Sequence, residues 1–327
     1  MKIVAIGIFF LFLGMNFAPA LGQIIEKQPT SVSDDKWWYV GGNGPGNFSV
    51  IQDAVDNASD GDTIFVYHGI YNQSWTSYQI VDIFKSITLL GENKTSTILN
   101  GSRQWDVIRV MTDDVHISGF TIQNSGVGQV PGDGIHIYEP TGMHQLQNIT
   151  VSDTILCHDN IGITIYECNN SKFSNNIFNE DDIACDVKGS TNCQINNSLF
   201  TNNTIGIHLY LEQGIKITQN EFQGNGKGIY CETCKDIIIN SNNFIHNTIQ
   251  ATFLKYTRYI IGAIKLIPYK QQWNDNYWGD WNKTRPRPIV GVYLIDLLPP
   301  IIPLFLPIYI PSVEFDRRPA QEPHVIQ

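Results

Sequence analysis

The central part of this 327-residue chain repeats itself every 22 residues. The clearest sign is a series of phenylalanines at constant spacing: Phe178, Phe200, Phe222 and Phe244, with Leu156 one interval earlier. Five sequence windows of this length align without a gap, and they begin at Ile149, Ser171, Cys193, Ile215 and Ile237. Self-similarity at a fixed period predicts stacked structural units, each too thin to bury its own apolar side.

Within each window, apolar and polar residues alternate, as they do in the segment Gly206–Tyr210. Alternation indicates short strands, and no stretch between the strands is long or periodic enough for a helical repeat. Asparagine pairs such as Asn196-Asn197 and Asn242-Asn243 separate the strands, and asparagine tolerates the left-handed backbone of tight corners. The repeat therefore predicts an all-β parallel β-helix (a solenoid) with 22-residue coils about 4.8 Å apart.

The repeat also predicts which side chains stack on one another. The phenylalanines form an interior ladder, in which Phe200 and Phe222 have a ring on both sides, whereas Phe244 ends the series and has fewer aromatic neighbours. A second column lies at a corner of the coils and consists of Asp159, Asp181, Asn203, Asn225 and Asn247. We expect these polar side chains to satisfy backbone groups of successive coils.

Charge and the first residues of the chain predict an exported protein. The net charge is −10 and the basic residues are not clustered, which argues against nucleic acid as a partner. Residues 1–22 combine Lys2, an apolar run and Ala18-Pro19-Ala20, which predicts a secretory signal peptide; the alternative is an uncleaved N-terminal anchor. Ten Asn-x-Ser/Thr sequons fit a secreted or cell-surface glycoprotein. We expect a monomer with no transmembrane helix in the mature chain.

We divide the remainder of the chain into a linker (23–36), a β-helix domain (37–285) and an apolar, proline-rich tail (286–327). Residues 49–58 carry apolar residues on one helical face and predict a short helix that caps the open end of the solenoid. The prolines of the tail exclude a regular helix, so we expect an extended segment laid over the last coil; membrane contact is the alternative. Twelve extra residues, placed at about Ser125–Asp133, predict one surface loop.

The six cysteines of an exported chain raise the question of disulfides. A disulfide requires Cα atoms about 4.4–6.8 Å apart, and the repeat places most of these cysteines in different columns. Only Cys231 and Cys234 meet around a corner. We therefore expect most of the cysteines to be small, buried apolar side chains.

Motifs near both ends of the chain resemble a known family. The segments Phe48–Val55 and Ala58–Ile64, together with Asn276–Asp280 and the ending Phe315–Pro323, resemble NosD-like proteins of prokaryotic, often archaeal, cell surfaces. The resemblance covers about residues 37–323. It implies a single-stranded, right-handed, pectin-lyase-like parallel β-helix. The family name comes from a periplasmic protein implicated in copper delivery to nitrous oxide reductase, which implies a copper-handling accessory role.

The residues themselves give little support to a metal. Copper(I) selects soft ligands, yet the chain has only four methionines and no histidine–methionine cluster. Neither copper nor calcium has a recognisable ligand cluster in the sequence. We therefore expect no metal site and no other cofactor.

The N-terminal motif also resembles pectin methylesterases, and the implied fold is shared with polysaccharide lyases and polygalacturonases. The catalytic segments of these enzymes do not occur here: Gln-Asp-Thr and Phe-Ile-Phe-Gly in methylesterases, Gly-His-Gly and Arg-Ile-Lys in polygalacturonases. Asp181-Asp182 is similar to the aspartate pair of polygalacturonases. However, Asp181 belongs to the corner column, so we interpret it as a turn residue.

Two columns of the repeat point away from the core on one sheet and predict a ligand-binding face. They combine aromatic rings, which can stack on sugars, with hydrogen-bonding groups. The candidate residues are His136, Tyr138, Tyr166, Asp186, Lys188, His208, Tyr210, Tyr230 and Glu232, and Thr164 lies between them. Asp186 and His208, in adjacent coils, are the candidate acid–base pair. Exposed strand positions also accept these residue types without any function.

Three functional hypotheses from different classes remain. The first is a non-enzymatic cell-envelope protein that presents this face to a polysaccharide, a glycoprotein or another protein. The second is an enzyme, either a polysaccharide lyase or a glycoside hydrolase, that uses Asp186 and His208. The third is the copper-handling accessory role that the resemblance implies. The repeat is complete, whereas the catalytic motifs are incomplete, and this contrast favours the non-enzymatic protein.

Overall fold

The computed structural model describes residues 36–72, 80–128, 131–258, 271–297 and 306–326. The predicted signal peptide and all but the last residue of the predicted linker lie outside these ranges. The described residues form one compact unit built from parallel β-sheets. The predicted all-β parallel β-helix is therefore confirmed.

Three sheets run along the solenoid, and successive coils add one short strand to each. The first sheet has ten parallel strands, in the order Trp37–Val40, Thr63–Val66, Thr88–Gly91, His116–Ser118, Thr150–Ser152, Lys172–Ser174, Gln194–Asn196, Lys216–Thr218, Ile238–Asn240 and Gln272–Asn274. The second sheet has nine, in the order Gly69–Asn72, Thr97–Asn100, Thr121–Gln123, Ile155–Cys157, Ile177–Asn179, Leu199–Thr201, Glu221–Gln223, Asn243–Ile245 and Tyr277–Trp278.

The third sheet carries the predicted ligand-binding face. It has ten strands, in the order Val81–Ile83, Ile108–Val110, Asp133–Ile137, Ile161–Tyr166, Ile183–Lys188, Ile205–Tyr210, Lys227–Glu232, Ile249–Arg258, Arg287–Leu297 and Leu306–Asp316. All neighbours are parallel except the last pair, which is antiparallel. A short additional sheet pairs Leu146–Gln147 with Cys168–Asn169 at one corner.

The strand registers reproduce the 22-residue repeat and stack the phenylalanines in the interior. Phe178, Phe200, Phe222 and Phe244 are direct cross-strand partners. Their rings are parallel and buried, with successive centroids 4.7, 4.8 and 4.9 Å apart. This is the strand spacing itself, so each ring fills the space between its two neighbours.

The 22-residue spacing predicts that the ladder ends at Phe244. The structure shows that it continues by one more ring. The ring of Trp278 stacks on Phe244 with centroids 4.3 Å apart. Phe244 therefore has aromatic neighbours on both sides, and the prediction that it has fewer is wrong. The phenylalanine with a ring on one side is Phe178, since its partner in the preceding coil is Leu156. The spacing concealed Trp278 because it follows Phe244 by 34 residues.

The corner column forms a buried hydrogen-bond ladder, as predicted. The backbone N–H of Asp181 donates to Oδ1 of Asn203, and that of Asn203 donates to Oδ1 of Asn225, both at 2.9 Å. The carboxamide of Asn225 also donates to the carbonyl oxygen of Phe200 at 2.9 Å. Each carboxamide thus satisfies turn groups of two coils. A similar ladder at a second corner consists of Thr154, Asn176, Ser198, Asn220, Asn242 and Asn276.

Two members of the first ladder are aspartates, which lack the N–H groups of asparagine. Oδ1 of Asp181 accepts the N–H of Asp159 at 2.9 Å, but Oδ2 of each aspartate is buried without a hydrogen-bond partner. Burial raises the pKa of Asp181 to about 8. Burial also raises the pKa of Asp159, and the neighbouring charge of Asp181 raises it further. Burial thus favours the protonated form of both carboxyl groups, which occupy the positions of carboxamides in the following coils.

The N-terminal end of the solenoid carries the short helix Ile51–Asn57. Its apolar side is buried and consists of Ile51, Ala54 and Val55. The ammonium group of Lys85 donates to the carbonyl oxygens of Val55, Asp56 and Ala58 at 2.7–3.1 Å. A cation is favourable at this end of a helix because the last carbonyls carry partial negative charge.

The C-terminal tail ends the stack by adding strands. Arg287–Leu297, within the predicted tail, adds a strand to the third sheet, and Leu306–Asp316 pairs back on it. Asp316 ends the second ladder, since its Oδ2 accepts the N–H of Asn276 at 3.1 Å and the indole N–H of Trp278 at 3.0 Å.

The twelve extra residues lie in two loops and not in the single loop predicted near Ser125–Asp133. Strand partners in the next coil show that six extra residues precede the strand Asp133–Ile137 and six follow it. The second loop extends along the solenoid, since Gln145 donates to the carbonyl oxygen of Gly189 at 3.2 Å. Both loops therefore border the strand that carries His136.

We predict that Phe200→Ala lowers the free energy of unfolding by about 3–5 kcal/mol, because it opens a large cavity between two stacked rings. Phe178→Ala should cost less, since it loses one ring contact instead of two. Thr204→Ala, at an exposed corner position, should change it by less than about 0.5 kcal/mol. Chemical denaturation measures all three. Equal effects of Phe200→Ala and Thr204→Ala would contradict the register.

We predict that Asp181→Asn stabilises the protein at pH 8 but not at pH 4. The raised pKa of Asp181 means that its contribution is complete below pH 3.8, the ordinary value, and is lost as the pH rises towards about 8. Asparagine keeps the acceptor and has no charge, so the variant should gain about 1–3 kcal/mol over the parent at pH 8. Denaturation at both pH values tests this. Asp182→Asn, at an exposed side chain, is the control and should have little effect at either pH.

Candidate functional site

The structure places the predicted face residues side by side. His136, Thr164, Asp186, His208 and Tyr230 are successive cross-strand partners on the third sheet. A second column consists of Tyr166, Lys188, Tyr210 and Glu232. Tyr138 follows the strand that carries His136, and the two rings lie 4.5 Å apart. We call the outward side formed by these residues the third-sheet face.

Asp186 is the centre of an ion-pair network on this face. Its Oδ1 lies 2.9 Å from Nδ1 of His208, and its Oδ2 lies 2.6 Å from Nζ of Lys188. Nε2 of His208 lies 3.8 Å from a carboxylate oxygen of Glu232. The ring of Tyr230 stacks on that of His208, with centroids 5.3 Å apart. We call these five residues the Asp186 cluster.

The Asp186 cluster is closed to solvent at its centre. The side chain of Asp186 is only 2% exposed. Burial tends to raise its pKa, but the hydrogen bonds from His208 and Lys188 outweigh burial and hold the pKa below its usual value. Nε2 of His208 is buried and makes no hydrogen bond. A histidine base must reach the proton that it takes, and this nitrogen does not reach the surface.

The outer column of the face is open. Tyr166 and Tyr210 are each 42% exposed, and Lys188 extends between them. A cavity of about 150 Å³ adjoins Tyr210 and is lined by Leu211, Glu232, Thr233, Leu254 and Tyr256. A larger groove of about 580 Å³ lies elsewhere, at the corner between the first and second sheets. The third-sheet face is therefore a shallow surface with exposed rings.

A second polar cluster lies next to this face, and sequence reasoning identified only His136 in it. Asp106 precedes one strand of the third sheet, and Asp133 begins the next strand, which also carries His136. Nδ1 of His136 lies 3.3 Å from Oδ2 of Asp106 and 3.6 Å from Oδ2 of Asp133. Burial raises the pKa of Asp133 to about 6. We call these three residues the Asp106 cluster.

A signal for this cluster was present in the repeat. Asp133 pairs with Ile161, and the following coils have Ile183 and Ile205 at this position. The column continues with Lys227 and Ile249. The 22-residue windows did not cover its aspartate, because the extra residues shift the alignment of this coil.

We predict that Asp186→Asn lowers the free energy of unfolding at pH 7 by about 1–3 kcal/mol, because it weakens charged hydrogen bonds in a buried site. The pKa of Asp186 is lowered, so its stabilisation is present above pH 3.8, the ordinary value, and is lost as the pH falls through the folded-state pKa. The difference between variant and parent should therefore shrink in denaturation curves below about pH 4.

The matched control is Asp236→Asn. Asp236 is 56% exposed and forms only a surface pair with Lys235, at 3.7 Å. Exposed pairs contribute little to stability, so this variant should resemble the parent at every pH. An equally large effect at Asp236 would mean that net charge, and not the Asp186 cluster, is responsible.

Comparisons with solved structures agree with the fold. Pectate lyase Pel9A superposes with a TM-score of 0.53 at 16% identity, over 75% of this chain and 76% of that one. The enzymatically active domain of tailspike protein 2 from bacteriophage CBA120 gives 0.50 at 16% identity, over 81% of this chain and 44% of that one. A pectin methylesterase from carrot gives 0.43 at 13% identity, over 72% and 87%. Identities this low concern the fold alone.

The sequence itself has a clear family match. No curated protein sequence matches the chain significantly, and no helix in the described ranges is long and apolar enough to cross a membrane. The family model described as "Periplasmic copper-binding protein (NosD)" matches residues 55–283, a span that includes both polar clusters. The chain belongs to the NosD family of right-handed parallel β-helix proteins.

Proposed function

We propose that this protein is an exported, non-enzymatic component of the cell envelope that binds a polysaccharide or glycoprotein through the third-sheet face. The observation that carries the proposal is the contrast within that face: Tyr166 and Tyr210 are exposed, whereas the carboxylate of Asp186 and Nε2 of His208 are buried. The family is described as periplasmic, which supports an extracytoplasmic location, with residues 1–22 as the export signal.

The outer column has the chemistry of a sugar-binding surface. Exposed aromatic rings bury apolar sugar faces at a low cost in side-chain entropy. Tyr166 and Tyr210 are two coils apart, roughly 9.6 Å by the strand spacing, a length comparable to that of a disaccharide unit. Lys188, between them, is 37% exposed and provides a hydrogen-bond donor with a positive charge for an acidic sugar.

The Asp186 cluster supports this surface from below. Lys188 is held by Asp186 at 2.6 Å, and Glu232 lies beside His208. Groups fixed in this way lose little conformational entropy when a ligand binds. The same hydrogen bonds occupy Asp186, so it has no free oxygen directed at a substrate.

An enzyme is the alternative, and one observation favours it. Asp186 and His208 are hydrogen-bonded at 2.9 Å, as an orienting carboxylate and a histidine base are in hydrolases. The buried Nε2 atom of His208 argues against this role. Release of reducing ends from a panel of polyuronates, abolished in Asp186→Ala, would establish the lyase or hydrolase and overturn the non-enzymatic proposal.

The copper role that the family description implies does not fit the described residues. Copper(I) prefers thiolate and thioether ligands. Met143 is 86% exposed, and all six cysteines are buried. The thiols of Cys193 and Cys234 donate to backbone carbonyl oxygens at 3.6 and 3.4 Å. An ion could not reach these sulfur atoms without opening a coil.

We predict that the purified protein is retained on a glycan array or on cell-wall polysaccharide, and that Tyr166→Ala and Tyr210→Ala each weaken binding by about 10-fold, the effect of losing a stacking contact of roughly 1.4 kcal/mol. Binding is measured by affinity electrophoresis or calorimetry with the glycan that is retained. No retention on any glycan or wall preparation would contradict the proposal.

The matched control is Tyr39→Ala. Tyr39 is 40% exposed, nearly as much as Tyr166 and Tyr210, but it lies on the first sheet beside Tyr67, at a centroid distance of 6.2 Å. This variant should bind like the parent. Loss of binding in Tyr39→Ala alone would move the ligand site to the first sheet.

A further inference from the structure

The Asp106 cluster has the geometry of a metal site. One ligand atom from each of its three residues lies within 4.8 Å of the other two. In tetrahedral zinc sites the ligands are about 2.0–2.2 Å from the ion, so two ligand atoms are roughly 3.4 Å apart. The distances from Nδ1 of His136 to the carboxylates of Asp106 and Asp133 are 3.3 and 3.6 Å. The spacing of His136 from each aspartate therefore matches that of two ligands of one ion.

The ligand types select a class of ion. Two carboxylates and one imidazole suit zinc and similar divalent transition metals. Calcium takes six to eight oxygen ligands, whereas this cluster offers two carboxylates and a ring nitrogen. Copper(I) prefers sulfur, and the cluster has none.

An independent observation at the site points to a ligand. Thr164 is the cross-strand partner of His136 and is only 5% exposed. Its hydroxyl faces the Asp133 carboxylate, yet Oγ1 makes no hydrogen bond of normal geometry. A buried hydroxyl without a partner costs free energy. An ion held by Asp133, with a water molecule in its open position, would supply that partner.

The cationic side chains nearest to the cluster are occupied by other carboxylates. Arg109 makes two hydrogen bonds to Asp82, at 2.6 and 2.7 Å. Lys188 lies 2.6 Å from Asp186. The charge of Arg109 still acts on Asp106 and that of Lys188 on Asp133, but neither cation forms an ion pair with the cluster.

The backbone holds the two aspartates close together. The N–H of Asp133 donates to Oδ1 of Asp106 at 2.8 Å, and Oδ2 of Asp106 is directed at His136. Gly132 and Trp105, which precede them, are packed so tightly that a Cβ atom on Gly132 would collide with the carbonyl group of Trp105. Only glycine allows this approach, so the site is preorganised by the loop that precedes Asp133.

We propose that Asp106, Asp133 and His136 bind one divalent transition-metal ion of the zinc class, with Thr164 beside its open coordination position. The ligands do not suit copper(I), and the proposal does not depend on sugar binding. In the structure, Nδ1 of His136 contacts both carboxylates, at 3.3 and 3.6 Å, so a bound ion would replace these contacts.

The test is calorimetric titration of the full chain, freed of metal by dialysis against a chelator, with Zn²⁺ and, in a separate series, with Cu⁺. We expect one Zn²⁺ per chain, and we expect Asp106→Asn and His136→Ala each to weaken binding at least about 10-fold. Asparagine keeps the oxygen that accepts the Asp133 N–H, so Asp106→Asn should remain folded. Zn²⁺ should also raise the melting temperature of the parent but not of Asp106→Asn.

The matched control is His158→Ala. His158 is 46% exposed and lies 3.1 Å from Glu180, so it tests whether any histidine beside a carboxylate suffices. This variant should bind Zn²⁺ like the parent. The proposal is overturned if no Zn²⁺ binds, if His136→Ala retains the parent affinity, or if binding is strong only for Cu⁺ and unaffected by Asp106→Asn.

Discussion

The whole structure depends on one constraint, the strand spacing of about 4.8 Å between successive coils. At this distance every side chain lies directly against its equivalents in the coils on either side. A residue type can persist in a column only if it packs against copies of itself or bonds to them. Stacked phenylalanine rings and carboxamides that bond in series satisfy this condition. The same spacing excludes isolated buried charges, because each would face another residue of its own column.

The constraint also shapes the candidate site. Asp186 and His208 meet because they occupy the same column in adjacent coils, so no loop needs to position them. As a consequence, Asp186 is closed to solvent, because the neighbours that hold it also occupy both of its oxygens. Tyr166 and Tyr210 are the last residues of their strands and are exposed there. Binding is therefore a more natural task for this face than proton transfer.

Much of the fold was predictable from the sequence, because the period determines which residues are cross-strand partners. The interior phenylalanines, the corner ladder and the columns of the face all follow from it. Trp278 and Asp133 were missed for one reason. Extra residues separate each of them from the repeat, so neither falls at a 22-residue interval from its column. The burial of Asp186 was not predicted for a different reason. A register shows which residues are neighbours, but not how far long side chains such as Lys188 cover them.

Residues that differ from the rest of their column are therefore the most informative about stability and ligand binding in such a protein. Where a column is uniform, its members satisfy one another and have no bonding capacity left for a ligand. Asp181 departs from a column of asparagines and keeps an oxygen without a partner. Asp133 departs from a column that continues mainly as isoleucine, in the coil that also carries both loops. The first departure is enclosed by the ladder and affects stability, whereas the second begins a strand of the third sheet, beside His136 and the buried hydroxyl of Thr164. Position within the coil thus decides whether a departure acts on folding or is available to a ligand.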